Sequence, residues 1–353
     1  MKKNLFIFLV LAPLIGISLV GLQVYYLIYV DSYSGEERTF EVRRGEGFSS
    51  INYRLSREEI ISNPRLFHRY NQFKGQLTRF RSGRFHIKPG MTISDISHTL
   101  IYGTPITARV TIPEGYNIFQ IAELLENNNV VSAESFLSYA RNEEYVRSLG
   151  IPSTRVEGYL FPETYFFPEE IDAKEAIEIM HNEFKRQTRN VDFESTQFTP
   201  HEVIILASIV EKETGATWER PRIAGVFLNR IEKGMRLQSD PTTIYGMYEG
   251  WDGRIRRSDL QRVTPYNTYR INGLPKGPIA SPGLAAIMSI LEPEEHNYLY
   301  FVSRNDGTHV FSKNLRDHNN AVNYWQRNPE NRQGRSWRDL DQSPHNPANQ
   351  PQD

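Results

Sequence analysis

Cysteine is missing from all 353 residues of the sequence. Its absence excludes disulfide bonds, thiolate nucleophiles and cysteine-held zinc or iron–sulfur sites. A basic excess is missing too, because 41 Lys and Arg residues stand against 42 Asp and Glu residues, for a net charge of −1. Since proteins that bind nucleic acids usually carry a clear basic excess, we expect no nucleic-acid partner.

Common catalytic motifs are also absent. His201-Glu202 could begin a His-Glu-x-x-His zinc motif, but Ile205 stands where the second histidine would be. The sequence has no phosphate-binding loop and no Gly-x-Ser-x-Gly nucleophile motif. Its nine histidines lack the spacing of metal ligands. We therefore expect no metal site.

The first thirty residues carry the strongest single signal. Lys2 and Lys3 precede a run without charged residues from Asn4 to Val30, and about 20 apolar residues span a bilayer core. Lysines before such a run favour a cytoplasmic N-terminus. The alternative is a cleaved signal peptide, but its apolar region would be only about 7–15 residues long. We predict a transmembrane anchor over residues 1–30, which contacts the membrane through residues 4–30, and an outer part beyond it.

A pattern of strand, glycine turn and short helix recurs three times after the anchor. The copies begin at Phe40, Phe85 and Val110, and such self-similarity is typical of a small repeated unit. Residues 31–140 are therefore predicted to form an α+β subdomain similar to the LysM glycan-binding module. The alternative is that this pattern is merely a common solution for small domains.

The remaining chain is predicted to contain a mixed α/β catalytic domain over residues 141–326 and a disordered polar tail over residues 327–353. Residues 157–168 hold five aromatic side chains and two carboxylates, a composition that suits a sugar-lined cleft or an ordinary core. The loop over residues 235–246 is rich in hydrogen-bonding groups, which can fix sugar hydroxyls or simply start a turn.

One predicted helix places a carboxylate where a core residue is expected. Thr199 to Glu202 form a capping box, and Gly215 is the expected stop. At about 100° per residue, Glu213 lies within roughly 80° of the stripe of Val203, Leu206 and Val210. Glu211 falls about 160° from Glu213, on a side that we expect to be solvated together with Lys212.

Burial on that stripe would raise the pKa of Glu213, and the negative end of the helix dipole acts in the same direction. Both effects would prepare a general acid at neutral pH. The alternative is a structural carboxylate paired with an arginine: Arg220, Arg222 or Arg230.

Five ordered segments together resemble the endolytic murein transglycosylases of the MltG/YceG family. They include the Glu-Lys-Glu-Thr motif at 211–214 and the Gln-Ser-Asp-Pro motif at 238–241, and they cover residues 157–164, 207–214, 237–242, 265–269 and 273–283. The resemblance implies an α+β protein with an N-terminal transmembrane helix, a LysM-like subdomain and a lysozyme-like catalytic domain. It extends from the anchor through the predicted hairpin over residues 298–311, and the polar tail has no counterpart in the family pattern.

In this family the catalytic glutamate is followed by threonine, which maps onto Glu213. The resemblance implies cleavage of the β-1,4 bond between N-acetylmuramic acid and N-acetylglucosamine in nascent peptidoglycan, without metal or organic cofactor. It also implies a single-pass protein of the bacterial inner membrane that acts on its outer side, with peptidoglycan synthases as candidate partners. The expected sugar-orienting residues are Gln238, Asp240, Tyr245 and Asn267, with Glu157, Glu163 and Tyr165 as further candidates.

Two other functions remain open from the residues alone. A hydrolytic muramidase would use water and a second carboxylate, for which Glu157, Glu163 or Asp240 could serve. A non-catalytic peptidoglycan-binding anchor would rely on the repeats and leave Glu213 a structural role.

Overall fold

The computed structural model describes residues 2–43, 45–169 and 171–331, which form two compact units. The first is built from residues up to 108 with 166–169, and the second from 109–165 with 171–331. Helices and short strands alternate in both, so the predicted α+β class is confirmed.

The first unit is a two-stranded antiparallel sheet covered by helices. Strand β1 pairs with β2 from Arg38 opposite Ile87 to Val42 opposite Gly83. Alternate residues point inward, and Phe40 and Phe85 are fully buried there. The elements are α1 (Lys2–Tyr29), β1 (Arg38–Val42), α2 (Phe48–Arg57), α3 (Pro64–Phe73), β2 (Gly83–Ile87) and α4 (Ile93–Tyr102).

Helix α1 occupies most of the predicted anchor. The side chains of residues 1–10 and of Ala12, including both lysines, lie outside the described part of the structure. Leu14, Ile17 and Leu22 are exposed apolar side chains farther along the helix. In the described part of the chain, no helix combines the length and the apolarity that crossing a membrane requires.

The three predicted strand–turn–helix copies appear in the structure. They are β1 with α2, β2 with α4, and β3 (Thr107–Thr111) with α5 (Ile118–Asn127). The division between the units falls after Ala108, so most of the third copy belongs to the second unit. The predicted boundary near residue 140 therefore differs from this division, because α5 packs its buried face, including Ile121, against α6 (Ala133–Ala140).

The second unit is built around one buried helix. Helix α9 (Pro200–Glu213) packs against α10 (Arg220–Glu232), α11 (Asp240–Tyr245) and α13 (Leu284–Leu291). The unit also contains α7 (Glu143–Ser148), α8 (Ala173–Thr188), α12 (Arg257–Gln261), β5 (Tyr300–Ser303), β6 (His309–Ser312) and α14 (Leu315–Val322). Strand β4 (Thr164–Pro168) pairs with β3.

Local sequence sets where α9 begins. Glu202 N–H donates to Thr199 Oγ1, and Thr199 N–H donates back to Glu202 Oε2, so the predicted capping box is confirmed. The helix ends because Thr214 is extended, with φ −143° and ψ 139°. Gly215 is therefore not the C-terminal stop that we predicted.

A short 3₁₀ turn precedes helix α10. Thr217 begins a 3₁₀ turn to Glu219 and does not cap α10, which starts at Arg220. Gly234 follows the end of this helix in the left-handed region, with φ 64°, as expected for a glycine after a helix.

The end of the second unit contains the predicted hairpin. Strands β5 and β6 pair antiparallel, from Tyr300 opposite Ser312 to Ser303 opposite His309. Helix α14 continues into helical turns at Asn323–Arg327 and Pro329–Asn331. The predicted disordered tail thus begins with helical turns, and residues 332–353 lie outside the described part.

Candidate active site

Glu213 is the last residue of helix α9, and its side chain is half-buried. It continues the predicted stripe on this helix, whose apolar members are fully buried. Ser239 Oγ donates a hydrogen bond of 2.5 Å to Glu213 Oε1. Ser239 is itself held in place, because its backbone N–H donates to Thr268 Oγ1 at 2.9 Å. The carboxyl group of Glu213 is thus fixed by a neighbouring loop and by its own helix.

The surroundings of Glu213 suit proton transfer near neutral pH. Burial raises the pKa of its carboxyl to about 7, against the opposing effect of the Ser239 hydrogen bond. The charge of Asp240 raises this pKa further, whereas His309 and Arg230 lower it. Glu213 also lies in the last turn of α9, where the helix dipole favours the protonated acid.

The arginines that could have neutralised Glu213 have other partners. Arg220 pairs with Glu211 and Glu114 at 2.7 and 2.9 Å. Arg222 pairs with Glu294, and Arg230 donates to backbone carbonyl oxygens of the segment before β5 and of the loop after α10. Among the described residues, Glu213 forms no ion pair. It is therefore not the arginine-paired structural carboxylate that the sequence left as an alternative.

Glu211 corrects a prediction. It lies on the side of α9 opposite Glu213, as the helical angle indicates, but it is buried and not solvated. Its carboxylate accepts hydrogen bonds from Arg220 and from the backbone N–H of Gly283. A Cβ at Gly283 would collide with the Glu114 carboxylate. Other segments of the unit therefore cover the face of α9 that carries Glu211.

Lys212, between the two glutamates, remains exposed as predicted. Its ammonium group donates to the carbonyl oxygen of Gly115 at 3.0 Å. This contact ties the end of α9 to the loop that precedes α5.

A cavity of about 410 Å³ opens beside Glu213. Two of the predicted sugar-orienting residues, Gln238 and Asp240, line it. Gln238 has a left-handed backbone, with φ 52°, a conformation that costs energy for a residue other than glycine. Asp240 accepts a hydrogen bond of 2.7 Å from the Tyr269 hydroxyl. The cavity therefore offers an acid, a carboxylate and an amide side chain at one place.

Two further candidates, Glu157 and Tyr245, lie together at a different place. Both are buried, and Glu157 Oε2 accepts the backbone N–H of Ile118 at 3.1 Å. Burial raises the pKa of the Glu157 carboxyl to about 7. Tyr245 packs edge-on against Tyr266, with ring centroids 4.7 Å apart.

The other three candidates do not line the cavity beside Glu213. Asn267 is fully buried, and its side-chain amide donates to the carbonyl oxygens of three residues between 259 and 262. Glu163 is exposed and accepts the N–H of Thr164. Tyr165 is buried and donates to the carbonyl oxygen of Phe161 at 2.5 Å. Asn267 and Tyr165 thus hold the backbone in shape.

Sequence reasoning missed several residues of the cavity. Tyr269 lies inside one of the motifs that carry the family resemblance, and Ser239, which binds Glu213, lies inside another. These motifs were therefore a usable signal. Nothing in the sequence linked the hairpin and α14 to Glu213, yet both contribute side chains to the cavity. The missed lining residues are Arg230, Leu237, Tyr269, Tyr300, Phe301, Leu315, His318 and Asn319.

Within residues 2–43, 45–169 and 171–331, no group of three or more His, Asp or Glu side chains is arranged to hold a metal ion.

Comparison with known proteins gives consistent matches. Residues 40–324 match the YceG-like family. An endolytic murein transglycosylase of Bacillus subtilis (strain 168) is 31% identical over 295 residues, which cover 78% of this chain and 81% of that protein. An endolytic murein transglycosylase of Streptococcus pneumoniae serotype 2 (strain D39) is 29% identical over 332 residues, which cover 84% of this chain and 60% of that protein.

A solved structure agrees with these matches. The 2.6 Å crystal structure of a yceG-like protein from Listeria monocytogenes is 31% identical, with a TM-score of 0.56. The match covers 82% of this chain and all of that one. The family resemblance of the sequence motifs is confirmed, and the chain belongs to the YceG-like family.

Proposed function

We propose that this protein is a peptidoglycan lytic transglycosylase in which Glu213 is the catalytic acid and base. It cleaves the β-1,4 bond between N-acetylmuramic acid and N-acetylglucosamine within nascent strands. The observation that carries the proposal is Glu213 itself: a half-buried carboxyl with a pKa of about 7, no ion pair among the described residues, and a cavity beside it. The names of the relatives from Bacillus subtilis and Streptococcus pneumoniae support the same activity.

The reaction needs one residue that first gives and then takes a proton. Protonated Glu213 donates its proton to the glycosidic oxygen while the bond from that oxygen to C1 of the muramic acid breaks. The resulting carboxylate then accepts the proton of the C6 hydroxyl as its oxygen attacks C1. The product carries a 1,6-anhydro end, and no water is consumed. A pKa near the working pH suits both halves of this cycle, and the intramolecular nucleophile gains from proximity.

The residues around Glu213 would orient the sugars. Gln238 and Asp240 line the cavity, and Tyr269 holds Asp240 by its hydroxyl. Ser239 stabilises the carboxylate that forms after the first proton transfer. Tyr300 also lines the cavity, and its ring packs against His318 and the Arg230 guanidinium.

A hydrolytic muramidase is the second candidate, because Asp240 lines the same cavity as Glu213. In that reaction a carboxylate would activate water or act as the nucleophile. The two reactions differ in product mass, since hydrolysis adds one water and transglycosylation adds none.

We further propose that residues 4–30 anchor the protein in the bacterial inner membrane, with the catalytic unit on the outer side. The charge-free run of the sequence and the lysines before it support this proposal. The first unit would act as a LysM-like glycan-binding part, supported by its order of strand, two helices and strand. Cleavage of nascent strands would terminate glycan elongation beside peptidoglycan synthases.

The test is mass spectrometry of nascent peptidoglycan incubated with the full chain and with Glu213→Gln. The amide is nearly isosteric but cannot donate and reaccept the proton, so we expect anhydro-ended fragments from the wild type only. Glu163→Gln, an exposed glutamate outside the cavity, is the matched control and should cleave normally. Reducing ends would identify a muramidase, and cleavage by folded Glu213→Gln at the wild-type rate would refute the assignment.

A further inference from the structure

A second cavity, of about 490 Å³, lies in the same unit and is not used by the proposed chemistry. Two segments connect it with the cavity beside Glu213. Helix α11 contributes Asp240 to the cavity beside Glu213 and Tyr245 to the second cavity. The loop after α12 contributes Tyr269 to the cavity beside Glu213 and Tyr266 to the second cavity. Five helical steps of about 1.5 Å separate the ends of α11 by about 7.5 Å. A strand bound at Glu213 could therefore carry a branch into the second cavity.

The lining of this cavity is rich in unpaired positive charge. Arg155, Arg262 and Lys276 line it, and none of them forms an ion pair within the described part of the chain. Of the three lining carboxylates, Glu249 and Asp252 are already paired with Arg141 and Arg256, and Asp259 accepts the backbone N–H of Arg256. The cavity thus favours an anionic ligand.

Buried polar atoms without partners point to the same place. Tyr245 lines the cavity with 5% of its surface exposed. Its hydroxyl faces the Glu157 carboxyl and the Arg155 guanidinium, yet it completes no hydrogen bond of normal geometry among the described residues. Oε1 of Glu157 completes no such hydrogen bond either, but Glu157 does not line the cavity and its carboxyl faces this same hydroxyl. Buried polar groups normally find hydrogen bonds, so a polar ligand group in the cavity would satisfy the Tyr245 hydroxyl.

Aromatic rings form one wall of the cavity. Phe119 and Tyr248 stack with centroids 4.7 Å apart and an interplanar angle of 16°. Trp251 lines the cavity and keeps 36% of its surface exposed. These rings offer apolar contact beside the cations, which fits a peptide better than a small inorganic anion.

We propose that the second cavity binds the anionic peptide branch carried by muramic acid on a peptidoglycan strand. The peptide's carboxylates would contact Arg262 and Lys276, and its backbone groups would meet the Tyr245 hydroxyl. This inference rests on the proposed function, and it makes the peptide a determinant of which strands are bound.

The experiment measures binding to the full chain carrying Glu213→Gln, which separates recognition from turnover. Isothermal titration calorimetry compares a disaccharide that carries a tetrapeptide with the same disaccharide without it. We expect Arg262→Ala with Lys276→Ala to weaken binding of the peptide-bearing probe about tenfold or more, which corresponds to about 1.4 kcal/mol. Both side chains are exposed, so their loss should leave the fold intact.

Two further variants sharpen the test. Tyr245→Phe keeps the ring and removes only the hydroxyl, and it should weaken the peptide-bearing probe severalfold. Arg189→Ala with Lys233→Ala removes two exposed cations that do not line the cavity, and it should leave binding at the parent level.

Three results would overturn the inference: equal affinity of the parent for both probes, equal weakening of both probes by Arg262→Ala with Lys276→Ala, or no weakening at all. Equal weakening would mean that the cavity binds sugar and not peptide. Absence of cleavage by the wild type, with the peptide-dependent difference retained, would refute the proposed function and still support this inference.

Discussion

Removing the Ser239 hydroxyl tests how Glu213 is tuned. Its hydrogen bond to Glu213 Oε1, at 2.5 Å, favours the charged carboxylate and so lowers the pKa. Hydrogen bonds to charged groups contribute about 1.5–3 kcal/mol, and about 1.4 kcal/mol corresponds to one pH unit. Ser239→Ala should therefore raise the pKa of Glu213 and move the alkaline limb of the pH–rate profile upward by about one to two pH units.

The direction of this shift follows from the role of Glu213 as the acid. The first step needs protonated Glu213, so activity falls as the pH rises through its pKa, and a higher pKa extends activity to higher pH. The assay is kcat/KM for glycan cleavage between about pH 5 and 10, which reports the free enzyme. Ser289→Ala is the control, because this buried hydroxyl donates only within its own helix, to Ala286. An alkaline limb that stays in place or moves down would refute the reasoning.

Three other substitutions separate catalytic from structural roles. Glu157→Gln should raise the free energy of unfolding at about pH 8 by on the order of 3 kcal/mol, because burial raises the pKa of Glu157 from 4.5 to about 7 in the folded state and ionising the buried carboxyl is costly. The gain should shrink as the pH falls below about 7 and vanish by about pH 4, below the ordinary pKa. Glu211→Ala should lower the free energy of unfolding by about 3 kcal/mol, since it leaves the buried Arg220 with only Glu114 as an ion-pair partner. Asn267→Ala should lower it by about 2–3 kcal/mol, because the fully buried Asn267 amide binds several part-buried backbone groups that would lose their partner.

Urea denaturation at several pH values checks all three. Exposed Glu163→Gln is the control for Glu157→Gln and should show no such pH-dependent gain. Glu294→Ala breaks a half-exposed pair with Arg222 and should cost about 1 kcal/mol or less. Equal costs for the Glu211 and Glu294 variants would contradict the structural role of the buried pair.

Much of the local structure was predictable because its causes lie within a few residues of each other. The capping box at Thr199 fixed the start of α9, and the helical period placed Glu213 on the apolar stripe. The hairpin predicted over residues 298–311 is present as β5 and β6. The predicted solvation of Glu211 was wrong, because the helical angle gives a direction but not what lies in that direction.

The sequence by itself determined the helix, the position of its two carboxylates and the motifs that identify the family. Only the tertiary structure decided which carboxylate is paired and which is available for chemistry. Glu211 meets Gly283 across 72 residues and Glu213 meets Ser239 across 26. The physical reason is that burial and hydrogen bonding of a side chain depend on segments distant in the chain, and those contacts set its pKa.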